Sequence, residues 1–165
     1  MKKLTTKHMK KLLLILLCVP LISMSQTSED YYDKLIGYTY SGSELNEKLK
    51  KWESSGGQMV GSEMTRSISF YEKDNQRLVI SEMKIGRKDH QAIFEIIGYR
   101  IVNLKDNQTL STNLAVDGEP DDGIIAVVIY EDWECKEILK AWKLNIYSGE
   151  FEYIDVMFLS CYSEM

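Results

Sequence analysis

Apolar and polar positions along the chain fall into three regimes. Leu12 to Ile22 is an almost unbroken apolar run. From Ser43 to Trp52 the apolar residues Leu45, Leu49 and Trp52 recur at i, i+4 and i+7, which puts them on one face of a helix. From Ile68 onward the period falls to two, and short runs rich in Val, Ile and Tyr are broken by Asp, Asn and Gly.

The middle regime predicts a three-turn amphipathic helix. Ser43 can cap it, Glu44 suits the positive end of its dipole, and Glu44–Lys48 and Glu47–Lys51 are i, i+4 pairs. Gly56-Gly57 marks its expected end. The single apolar stripe is what a helix lying across a sheet needs.

The last regime predicts strands. Ile68 and Phe70 alternate with Ser67, Ser69 and Tyr71. Asp74-Asn75 makes a turn, Arg77 to Ile85 is a strand, and Gly86 to Asp89 is the next turn. Gln91 to Leu104 is a long strand in which Gly98 marks a bulge or bend. Ile124 to Tyr130 is continuously apolar, as expected of a central strand covered on both faces. Trp142, Leu144 and Ile146 then alternate toward a Ser148-Gly149 turn, with Phe151 and Tyr153 returning opposite Ile146 and Leu144. The fold class expected is α+β. One N-terminal amphipathic helix packs on a curved antiparallel sheet of about six or seven strands, ordered as a meander and curled toward a barrel.

The first regime is an export signal. Lys2, Lys3, Lys7, Lys10 and Lys11 precede the apolar run without an acid, and Ser23-Met24-Ser25 supplies small residues before a cut after Ser25. The apolar run is about half the roughly 20 residues a membrane span needs. Residues 1–25 are therefore expected to leave. Residues 26–165 remain as a single secreted or periplasmic domain with no stable membrane span.

Removal changes the charge. The chain has 20 Lys and Arg, 25 Asp and Glu, and net charge −5. Residues 1–25 carry five of the basic residues and no acid, which leaves 15 against 25 and a net charge of −10. Such an excess repels phosphate backbones, so nucleic acid is not an expected partner. Of the cysteines, Cys18 leaves with the signal. Cys135 and Cys161 stay in an oxidising compartment, within one residue of facing each other if the Ser148-Gly149 hairpin extends that far. A Cys135–Cys161 disulfide is expected to clamp the open end of that hairpin.

Catalytic chemistry is sparse. His90 is the only histidine after residue 25, and it sits in the polar turn Lys88-Asp89-His90-Gln91. No nucleophile elbow, Walker loop or dinucleotide fingerprint occurs, and no catalytic residue or cofactor is assigned. Asp117, Glu119 and Asp121 alternate in an acidic loop and are the only calcium candidates, in a spacing that departs from an EF-hand. The expected function is a non-catalytic binding or inhibitory module whose partner the sequence does not name. The alternatives are a carrier of a small apolar ligand inside a curled sheet and a carboxylate-dependent hydrolase.

Overall fold

The computed structural model describes residues 29–162. The basic and apolar segments and the cut after Ser25 lie outside the described residues. The chain divides into two compact units at Leu35. The first contributes only a short helix here, α1 (Glu29–Asp33), with the Leu35 N–H donating to the Tyr32 carbonyl. The second unit, from Ile36, holds every strand described below.

The second unit is mostly β, which corrects the α+β expectation. Its strands in chain order are β1 (Thr39–Ser41), β2 (Glu53–Val60), β3 (Arg66–Lys73), β4 (Gln76–Lys88), β5 (Gln91–Asn103), β6 (Thr109–Ser111), β7 (Leu114–Val116), β8 (Glu119–Pro120), β9 (Ile124–Glu131), β10 (Glu134–Leu144), β11 (Phe151–Ile154) and β12 (Leu159–Cys161). They form three antiparallel sheets of five, four and three strands, ordered β1-β5-β4-β3-β2, β11-β10-β9-β6 and β12-β7-β8.

The expected three-turn helix is reduced to five residues, α2 (Glu44–Lys48). Leu45, and Leu49 just past its end, are buried. The segment from Glu53 pairs with β3 instead of continuing the helix, and Gly56 and Gly57 lie within β2. Two glycines cost a helix about 1 kcal/mol each, and an isolated helix this short gains little from propagation. Pairing with β3 therefore wins.

The sheets stack rather than curl into one barrel. One face of the five-stranded sheet sends Val60, Ile68, Val79 and Val102 against Ile125, Val127, Trp142, Leu144 and Phe151 of the four-stranded sheet. The other face of the four-stranded sheet places Ile124, Ala126, Val128 and Ala141 against Leu114 and the partly buried Leu159 and Cys161 of the three-stranded sheet. Strand β9 thus alternates between two cores, as its unbroken apolar run predicts. Polar clasps tie the first two sheets together. Arg66 Nε donates to the Ile146 carbonyl at 2.8 Å, and an Arg100 nitrogen donates to the Phe151 carbonyl at 2.9 Å. The Arg100 guanidinium also lies 5.0 Å from the centre of the Trp142 ring.

The C-terminal hairpin forms in a shifted register. Phe151 faces Leu144 and Tyr153 faces Trp142, not Ile146 and Leu144. The cause is a longer loop: Asn145 Oδ1 accepts from the Tyr147 and Ser148 N–H groups, and the Asn145 N–H donates to the Glu150 carbonyl. The returning strand ends at Ile154, and a 3₁₀ turn (Val156–Phe158) carries the chain into β12, which pairs with β7. The disulfide Cys135–Cys161 is present, with Cα atoms 6.2 Å apart. It joins β10 to β12, and so two different sheets, rather than closing a hairpin.

Candidate functional site

The outward face of the five-stranded sheet carries a cleft of about 510 Å³. Its floor is set by the alternation already visible in β3. Ile68 and Phe70 point to the sheet interface, so Ser67, Ser69 and Tyr71 point to the opposite face, where Leu78, Ile80 and Ile96 are buried as well. Cross-strand pairing sets Ser67 directly opposite Glu82 of β4. Tyr40 of β1 faces Phe94 of β5, their ring centres 6.0 Å apart, and both line the same cleft.

Small residues keep the cleft open. On the edge strand β2, Ser54 pairs with Tyr71 and Gly57 with Ser69, and both line the cleft. A Cβ on Gly57 would lie 3.0 Å from the Ile68 carbonyl oxygen and 3.4 Å from Ser69 Oγ, so any side chain there crowds the floor. A register shift after Ser54 bulges this edge.

Glu82 is the chemical centre of the cleft. The residue is 2% exposed. Its Oε1 accepts from the Tyr40 hydroxyl, and its Oε2 accepts from Ser67 Oγ at 2.7 Å and Ser69 Oγ at 3.0 Å. Burial raises the Glu82 pKa above the usual carboxylate range, and the three hydroxyl hydrogen bonds pull the other way by favouring the ionised form. Burial, and then the Glu82 charge, raise the Tyr40 pKa and push that of Tyr71 up to about 12. Both phenols therefore stay protonated, and Tyr40 is held as a donor.

Opposite Glu82 the β4–β5 ladder carries a bulge. Ser81 pairs with Gly98 and Glu82 with Ile96, leaving Ile97 unpaired, as the glycine in this strand predicts.

The residues singled out in sequence lie elsewhere. Asp117 begins the tight β7–β8 turn and Glu119 belongs to β8. Asp121 accepts from the Gly123 N–H at 2.9 Å and pairs with Lys143 at 2.7 Å. Among the described residues, no group of three or more His, Cys, Asp or Glu side chains is placed to hold a metal ion. His90 occupies the β4–β5 turn, exposed, with φ 69°. No helix among the described residues is long and apolar enough to cross a membrane.

Glu82 was not singled out by sequence reasoning, yet a signal exists. It falls at i+4 from Leu78 and i+2 from Ile80, both fully buried, so it is an acid on the apolar face of a strand. No family model matches the chain, and neither a curated protein nor a solved structure matches it.

Proposed function

We propose that the chain is an exported, non-catalytic binding module that captures its ligand in the cleft on the outward face of the five-stranded sheet. The observation that carries this reading is the fixed carboxyl of Glu82. Three hydroxyls from two other strands hold it in place at the base of a cleft large enough for a small molecule or a side chain. A group locked by its own sheet is a preorganised contact point. The lining mixes rings with amides and hydroxyls (Phe94 and Tyr40 beside Asn46, Gln58 and Gln91), which favours a polar ligand over an apolar cargo. Glycoside hydrolysis calls for two carboxyls about 5–10 Å apart, whereas here the partners of the cleft carboxyl are hydroxyls. The basic-apolar-small pattern of residues 1–25 and the disulfide both favour an oxidising compartment.

Native mass spectrometry of the full chain, purified from the extracytoplasmic fraction of its own cells, tests the reading. The expected result is an adduct that leaves on denaturation and is missing from Ser54→Trp, which fills the cleft from its exposed rim. An adduct that survives this substitution places the ligand elsewhere and overturns the reading.

A further inference from the structure

We propose that the cleft ligand presents an organic ammonium group, which docks on Glu82 beside the Tyr40 and Phe94 rings. This rests on the cleft being the binding site. Among the described residues, the cleft carboxyl has no cationic partner. A buried carboxylate costs several kcal/mol unless it is paired, and ion pairs normally supply the compensation. Ion pairs elsewhere join Arg77 to Glu72, Lys136 to Glu134 and Lys143 to Asp121, whereas Glu82 is held by hydroxyls. Its partners are neutral hydroxyls, and no neighbouring cation contributes to its titration.

The hydrogen-bond count points the same way. An ionised carboxylate offers about four acceptor positions. Ser67 and Ser69 take two on Oε2, and Tyr40 takes one on Oε1. One position on Oε1 is left, in a cleft that Tyr40 and Phe94 also line. A donor arriving there with a positive charge completes both the count and the charge. An ammonium would hold Glu82 ionised against the burial that raises its pKa, whereas an anionic or a neutral ligand supplies no such pairing.

Aromatic faces recruit the same chemistry. Cations sit favourably over ring faces within about 6 Å, and this row of rings already holds one. Lys48 Nζ lies 4.2 Å from the centre of Tyr38, which stacks at 6.5 Å on Tyr40. Tyr40 and Phe94 continue that row into the cleft. The volume of about 510 Å³ exceeds what a bare metal ion needs and suits an ammonium on a small carbon frame.

Calorimetric titration of the full chain with three probes of one shape tests this: phenethylamine, phenethyl alcohol and phenylacetate. The amine is expected to bind, the alcohol about 10- to 100-fold more weakly, the difference a charge-assisted hydrogen bond makes, and phenylacetate not at all. Glu82→Gln, checked for folding by circular dichroism, should remove the preference for the amine. Phe94→Leu leaves the carboxyl untouched and should weaken the amine more than the alcohol, so the test stands even if the Glu82 variant does not fold. A blocked lysine dipeptide separates the two sources of the group. Binding it more tightly than phenethylamine assigns a lysine side chain, and the reverse assigns a free amine.

Equal binding of amine and alcohol, abolished by Ser54→Trp, overturns the ammonium and leaves the cleft as the site. Amine binding that Ser54→Trp does not change overturns both. No amine binding up to about 10 mM overturns the ammonium, and the native adduct then decides the cleft.

Discussion

Gly98 of β5 and Gly149 of the β10–β11 loop meet without room for a side chain between them. A Cβ on Gly98 would overlap the Gly149 carbonyl oxygen and stand 2.8 Å from Ser81 Oγ, and Ser81 Oγ itself donates to that carbonyl. This contact joins the five-stranded sheet to the four-stranded one at the bulge that faces Glu82. The outward cleft and the inter-sheet seam are thus two sides of one irregularity in β4–β5.

Gly98→Ala is therefore expected to destabilise the protein by about 2–3 kcal/mol, the scale of overpacking a close-packed seam. Gly86, in the same sheet, is the control. Its added Cβ would meet only Ile93 Cδ1 at 4.0 Å, an ordinary contact. Urea unfolding of both variants checks this, and equal midpoints would show that the seam yields freely.

Glu82→Gln is expected to stabilise the empty protein at pH values above the raised Glu82 pKa, where the wild-type group is a buried charge without a cationic partner. The pH dependence follows from the raised pKa. The folded protein holds the Glu82 proton to higher pH than the unfolded chain, whose value is near 4.5. The Glu82 contribution to stability is then fully present below that value and is lost as pH rises through the raised folded pKa. The advantage of Glu82→Gln should accordingly be absent near pH 4, grow with pH, and level off. Thermal melts from pH 4 to 8 give the curve, and an advantage that shrinks with rising pH would contradict a raised pKa.

The strand faces were legible because two-residue alternation is a local signal. Ile68 and Phe70 against Ser67 and Ser69 named the inner and outer faces of β3, and the apolar run from Ile124 named the strand between two cores. The helix was over-read because Leu45, Leu49 and Trp52 fit a helical stripe, while the pairing of Glu53 with Glu72 is long-range and leaves no local trace. The cleft was missed for the same reason. Tyr40, Ser67 and Glu82 meet only after β1, β3 and β4 are placed by pairing. Cys135 and Cys161 are bridged as their spacing predicts, but across two sheets, because the β10–β11 pairing ends at Ala141 and Ile154.

The disulfide ties β10 to β12, and β12 is a three-residue strand whose ladder partner, β7, is equally short. Replacing both cysteines with serine opens a loop of about 25 residues and is expected to cost about 3–4 kcal/mol on the chain-entropy account. Because β12 otherwise has few backbone bonds, amide exchange should rise first in residues 114–116 and 159–161, ahead of β9. A uniform rise across all three sheets would show that the bridge stabilises the whole fold and not this layer.

Trp133 stands at the tip of the β9–β10 hairpin, 98% exposed, with φ 67° beside Asp132 at φ 51°. Glu131 pairs with Glu134, so these two residues form a tight turn that needs positive φ at both positions. A bulky residue in that region costs about 1 kcal/mol, and its full exposure returns nothing through packing within the chain. Trp133→Gly creates the Asp-Gly sequence the turn favours and should stabilise the protein by about 1 kcal/mol. The melting temperature measures it. A stability loss would mean that the indole packs on its own chain in solution, and tryptophan emission of the parent protein would then lie to the blue of a fully solvated indole.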